Sequence, residues 1–281
     1  MARKIGRVTA SYTILVVGSG GTGTYFLKEL THFLGSAPKK VQSMIKGLYV
    51  ADGDIVEEKN LSRQCFCPDD IGDNKAVAFA AALNDYLYDC ESSLYWEPIS
   101  SYITSVSQIK DIVKDAYYSP TRTCFYSTNE DQLSLHIPVI ISCVDNNGAR
   151  IIFEQFFSDA ENCFLYDSGN EFSEGEVCFA HKIKGHVLSP VKSYYFPSIL
   201  EGDLRQVTEL SCQELNVSAP QHLVTNMNAG LQLLLGLVNL LEPTKETVFE
   251  RIQKKMGFVS FDTFTHMATF IPYCPECKKE G

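Results

Sequence analysis

The sequence predicts an α/β fold, and three observations predict it. Residues 12–17 are β-branched and apolar and run into the glycine loop Gly18-Ser19-Gly20-Gly21-Thr22-Gly23. A continuous apolar run bounded by glycine reads as a strand buried on both faces. Strand-like runs then alternate with helical ones, and two of them close on a carboxylate, Asp52 and Asp145. Later, the runs at 163–167 and 175–183 follow each other with no helix-length segment between them, which suits antiparallel pairing. The expectation is a Rossmann-like, mostly parallel sheet continuing into a mixed, antiparallel half, with helices on both faces.

Each element has its own justification. Residues 21–34 form a helix, because Phe26, Leu27, Leu30, Phe33 and Leu34 recur on one side. Gly35-Ser36-Ala37-Pro38 interrupts it, and a short helical piece follows. Residues 47–51 make the second strand, ending at Asp52, and the alanine-rich stretch 75–87 makes a helix. Residues 94–103 read as a strand and 107–116 as a helix; 117–136 is polar without a period and reads as a loop. A strand at 138–144 ends in Asp145, and a helix at 149–157 follows. After the strands at 163–167 and 175–183, residues 184–214 carry Gly185, Pro190, Pro197 and Gly202 with little periodicity. Segments of that length serve as lids or substrate loops. Residues 219–241 form a strongly apolar helix, and the apolar runs 257–261 and 267–271 precede Cys274-Pro275-Glu276-Cys277.

Composition narrows the function classes. A chain of 281 residues, 45% hydrophobic, buries one large α/β core or two small ones. The formal net charge of −10 argues against a nucleic-acid partner, because phosphate contacts need a basic surface. No apolar run is expected to reach the roughly 20 residues of a membrane span. Met1 to Arg7 precede no apolar stretch, so no secretory signal is expected. Ten cysteines without such a signal point to a reducing, cytoplasmic location, where they are thiols or metal ligands.

The chemistry concentrates in four places. A strand, a tight glycine turn and a helix N-terminus present free N–H groups and a positive dipole end to phosphate. Gly18, Gly20 and Gly21 permit the turn and close approach, and Gly23 lets helix and strand pack. Asp52 ends the second strand, where a carboxylate accepts hydrogen bonds from ribose hydroxyls. Asn60, Arg63, Gln64 and Lys75 follow in polar surroundings and make a clamp for a triphosphate. Nicotinamide cofactors carry only a pyrophosphate and need no such clamp, so an NAD(P)-dependent oxidoreductase is the weaker reading. Asp145, at a strand C-terminus, would hold Mg²⁺ through oxygen; Asn146 adds hydrogen bonds to ligand or caps the next helix.

The series Gly18-x-Gly20-Gly21-x-Gly23, Asp52-x-Asp54-x-Val56-x-x-x-Asn60-Leu61-x-Arg63-Gln64, Ile71-Gly72-x-x-Lys75 and Cys143-x-Asp145-Asn146 resembles the adenylating domain of ThiF/MoeB proteins and ubiquitin-activating enzymes. The resemblance implies an ATP- and Mg²⁺-dependent adenylyltransferase that activates the C-terminal carboxylate of a ubiquitin-like protein ending in glycine. It implies Asp52 for ribose, with Asp54 in the same nucleotide-binding block. It implies Asn60, Arg63 and Lys75 for phosphates and Asp145 for magnesium. It implies one domain over 1–281, with a nucleotide-binding half at 12–150, a substrate-binding half at 151–281 and a crossover at 184–214. A homodimer and a downstream conjugating or sulfur-transfer protein are implied too. Adenylation of a small carboxylate or peptide, or a tRNA-modification dehydratase, is the alternative.

Two cysteine groups stand apart. Cys212 falls in the crossover region and is the candidate to receive the activated acyl group. Cys274 and Cys277 are half of a Cys₄ zinc site, and no second Cys-x-x-Cys completes it.

Overall fold

The computed structural model describes residues 9–114, 134–201, 222–241, 250, 252 and 256–274. Among the described residues nine strands make one sheet: β1 (Thr9–Val17), β2 (Ile45–Ala51), β3 (Trp96–Ile99), β4 (Ser134–Ser142), β5 (Cys163–Asn170), β6 (Glu174–Ile183), β7 (His186–Ser189), β8 (Gly257–Asp262) and β9 (Met267–Pro272). Their order is β3-β2-β1-β4-β5-β6-β8-β9, with β7 on β6. The first five run parallel, and every pairing beyond β5 is antiparallel.

Alternation along the strands feeds two apolar layers. Tyr12, Ile14 and Val16 of β1 pack with α1 (Gly21–Ser36), which precedes the short α2 (Lys39–Gln42), and with α3 (Lys75–Asp89). Leu15 and Val17 face the other way, toward α4 (Val106–Ile112) and α5 (Asn147–Asp159), whose Phe153, Phe156 and Phe157 fill that layer. After β7 come α6 (Lys192–Tyr195) and α7 (Ser198–Glu201), and α8 (Leu223–Leu241) lies against α1 and the sheet.

The register positions the site. Ala51, Val17, Ser142 and Asp167 stand in one row across β2, β1, β4 and β5. The next residues, Asp52, Gly18, Cys143 and Ser168, therefore rim one crevice. It opens where the strand order reverses between β1 and β4, the place where open α/β sheets bind ligands.

Several expectations need correction. The strand expected at 94–103 is only Trp96–Ile99. The loop expected to run to His136 ends earlier, because β4 begins at Ser134 and pairs along β1 from Thr9. The crossing segment starts ordered, with β7, α6 and α7; its aromatic residues Tyr195 and Phe196 pack on Phe258, contacts that carry no sequence period. The expectation of no membrane-length run also fails. The 19-residue α8 has mean hydropathy 1.3 in its most apolar window and is long and apolar enough to span. One face of it is buried on the fold, through Ala229, Leu233, Leu237 and Leu240.

Candidate active site

One cavity of about 820 Å³ lies over the strand ends, lined by the glycine loop, the 52–64 segment, the turn after β4 and residues of β5, α6 and α8. Its floor depends on glycine twice. Gly18 has φ of 93°, and a Cβ there would stand 2.8 Å from the Cys143 carbonyl oxygen. A Cβ on Gly23 would collide with the Gly18 carbonyl oxygen. No side chain caps α1, and its first turn carries no acid, so its leading N–H groups are left for an anion.

Asp52 is tied to this loop before any ligand arrives. Its Oδ2 accepts from the Ser19 backbone N–H at 2.7 Å and the Ser19 hydroxyl at 2.9 Å, and its Oδ1 accepts from the Asp54 N–H at 2.9 Å. Burial holds its carboxyl above the ordinary range, against the opposing pull of Lys75. Asn74 caps α3, accepting from the Ala76 and Val77 N–H groups. Its amide donates to the Asp52 and Asp54 carbonyls at 2.9 and 3.0 Å, which fastens this block to the helix that Lys75 opens.

The clamp residues converge. Asn60, Arg63, Gln64 and Lys75 all line the cavity. A 3₁₀ turn at Glu58–Asn60 sets the first three, with the Arg63 and Gln64 N–H groups donating to the Asn60 carbonyl. The Asn60 Oδ1 accepts from the Glu57 N–H at 2.8 Å, so that oxygen serves the turn. The Gln64 Oε1 is buried with no hydrogen-bond partner, and a buried acceptor of that kind is a place for a ligand or water donor. Lys75 is almost fully buried, its Nζ 2.9 Å from the Asp54 Oδ2.

Asp145 is exposed on the cavity wall just beyond β4. An exposed carboxylate with free oxygen lone pairs suits a hard cation. Asn146 lines the cavity and also caps α5, its Oδ1 accepting from the Ala149 N–H at 2.7 Å. Cys143 lines the floor, and burial pushes its thiol far up, helped by nearby Asp167, which disfavours the thiolate. Cys212 and Cys277 lie outside the described residues, and Cys274 is exposed. Among the described residues no group of three or more His, Cys, Asp or Glu is placed to hold a metal.

The far end of the cavity went unread in the sequence. Arg150 is buried and donates to the Asp167 Oδ1 at 3.2 Å, the Asn147 Oδ1 at 3.1 Å and the Val144 and Ser168 carbonyls at 2.7 and 3.1 Å. Lys192 bridges Asp167 at 3.5 Å and Glu176 at 2.8 Å. The one available signal was Arg150 itself, a charge on the apolar stripe of α5 with Phe153 and Phe157. Lys192, Tyr102, Asn170 and Asn226 also line the cavity and gave no signal, since strand pairing and helix docking bring them there.

Comparison with known proteins follows the same lines. The ThiF family model matches residues 6–272. The NEDD8-activating enzyme E1 catalytic subunit of Saccharomyces cerevisiae is 40% identical over 72 residues, 25% of this chain and 21% of that protein. The crystal structure of selenomethionine PaaA superposes with a TM-score of 0.57 at 14% identity, covering 93% of this chain and 64% of that one. E. coli MccB, solved with AMPCPP and MccA, gives 0.55 at 13% identity, covering 95% and 65%. The chain thus spans less than two thirds of these relatives, and the structural likeness shows the fold.

Proposed function

The chain belongs to the ThiF family, and from that premise we propose that it is an ATP-dependent adenylyltransferase activating the C-terminal carboxylate of a polypeptide. One observation carries this: a single cavity joins an uncapped helix N-terminus, the cations Arg63 and Lys75, and the exposed carboxylate Asp145. A dinucleotide oxidoreductase needs the first of these and neither of the others.

The chemistry asks for positioning and charge relief. A substrate carboxylate oxygen bonds to the α-phosphorus, the bond to pyrophosphate breaks, and an acyl-adenylate remains. The carboxylate is already a nucleophile, so no general base is required. In this reading the N-terminus of α1 holds phosphate oxygens, and Asp52 accepts from ribose. Asn60, Arg63 and Lys75 take up the charge that grows on the departing pyrophosphate. Asp145 would hold Mg²⁺, which when bound neutralises phosphate charge.

The finer proposal is a ubiquitin-like substrate with a glycine C-terminus, supported by the similarity to the yeast NEDD8-activating subunit. Transfer to Cys212, passage to a conjugating or sulfur-transfer protein, and a homodimer belong to the same proposal. A short peptide substrate is the second reading, favoured by the likeness to MccB solved with MccA. ATP–pyrophosphate exchange separates them. Exchange is expected with a glycine-tailed ubiquitin-like protein and not with the same protein amidated at its C-terminus. Exchange driven only by short free-acid peptides would establish the second reading, and exchange with neither would overturn the reaction itself.

A further inference from the structure

We infer that Tyr102 and Asp54 act as positioning residues for Lys75, so that Tyr102 tunes triphosphate binding through a carboxylate rather than by touching the nucleotide. This rests on the adenylylation reading. The three side chains all line the cavity. Lys75 and Asp54 form an ion pair at 2.9 Å, with side chains only 6% and 11% exposed. The Lys75 backbone N–H also donates to the Asp54 carbonyl at 2.9 Å. The second Asp54 oxygen accepts a hydrogen bond from the Tyr102 hydroxyl. The phenol is itself fixed. Its ring lies on Gly53, where a Cβ would stand 2.5 Å from ring carbons. The Tyr102 carbonyl accepts from the Gln108 Nε2 at 3.1 Å, and the Gln108 Oε1 accepts from the Thr104 N–H at 2.8 Å.

The physical consequence follows from what a lysine is. Its ammonium is a point charge on a flexible four-carbon stem. A buried carboxylate fixes that stem in one geometry, but it also competes with phosphate for the same charge. The phenol and the ammonium both donate to this one carboxylate, so they share its negative charge and the phenol lessens its hold on the ammonium. The arrangement keeps Lys75 aimed yet releasable. Sequence reasoning placed Asp54 among the nucleotide contacts; its geometry makes it the holder of one.

The test is a double-mutant cycle read on two nucleotides. Dissociation constants for Mg·ATP and for AMP are measured by calorimetry on the wild type, Tyr102→Phe, Lys75→Ala and the double variant. Tyr102→Phe keeps the ring on Gly53 and is expected to weaken Mg·ATP by a few-fold, less than the full worth of one hydrogen bond to a charged group because that bond is made with or without nucleotide. AMP binding should be unchanged, because AMP lacks the β- and γ-phosphates. In the Lys75→Ala background the Tyr102→Phe effect should vanish. Asp54→Asn, similar in shape, removes the carboxylate through which the phenol acts, so the Tyr102→Phe effect should vanish in that background as well. Equal losses for ATP and AMP, an effect that persists without Lys75, or no loss of ATP binding would each overturn the inference. Failure of the wild type to bind Mg·ATP would overturn the adenylylation reading instead.

Discussion

Single residues carry their roles through their environments. His181 is fully buried, with its Nε2 3.1 Å from the Tyr166 hydroxyl, and burial pulls its pKa down to about 3. In the unfolded chain a histidine titrates near 6.5. Between those two values the unfolded chain binds a proton that the folded chain refuses. His181 therefore costs nothing above about pH 6.5 and destabilises progressively as pH falls from there toward 3, by up to about 1.4 kcal/mol per pH unit. Urea unfolding at pH 7 and pH 5 should show this slope in the wild type and a shallower one in His181→Gln. Equal slopes would show that another group carries the dependence. The residues with a motif were legible in sequence, Asp52, Arg63 and Lys75 among them, because their spacing along one strand–turn–helix unit is local. Arg150 and Lys192 were not, because what pairs them with Asp167 is the strand register and the path of the chain after β7.

At the scale of elements, helix ends divide into capped and open ones. Asn74, Ser105 and Asn146 cap α3, α4 and α5 with their side chains, whereas α1 opens on Gly20 with no side-chain cap. Asn74→Ala removes a cap and two bonds to the carbonyls of Asp52 and Asp54. It should cost about 1–2 kcal/mol of stability, read as a lower denaturant midpoint, and it should weaken Mg·ATP binding as well. A stability loss with unchanged nucleotide affinity would show that the 52–54 block does not depend on this anchor. Gly23→Ala is the test of the loop itself. Its Cβ has nowhere to go but the Gly18 carbonyl, so nucleotide binding should be lost even where circular dichroism shows a folded protein. The helices at 21–34, 75–87 and 149–157 were legible because their periodicity is local. The extent of β3 was not, because it is set by pairing with Leu48–Ala51 of β2.

Over the whole molecule, the parallel half and the antiparallel half meet at β5, and the buried charges of Arg150, Asp167 and Lys192 sit at that seam. Arg150 from α5 and Lys192 from α6 converge on Asp167, where the pairing of β5 with β4 ends, and the Asp167 Oδ2 is buried without a hydrogen-bond partner. Without Arg150, Asp167 keeps only the longer contact with Lys192, and the Val144 and Ser168 carbonyls lose their donor. Arg150→Met should therefore cost about 3–5 kcal/mol, visible as a large fall in the unfolding midpoint, and a loss below 1 kcal/mol, roughly that of an exposed pair, would contradict the burial argument. The mixed sheet was legible from the order of apolar runs, while the nine-stranded continuity was not, since the β8–β9 hairpin joins the sheet through the pairing of β8 with β6, which is distant in sequence. The central claim is that this crevice serves a magnesium-bound triphosphate. Calorimetric titration with Mg·ATP and, separately, with NAD on the wild type, Arg63→Ala and Asp145→Ala tests it most directly. The expected result is saturable binding of Mg·ATP, weakened in both variants, with no binding of NAD; binding of NAD without binding of ATP would contradict it.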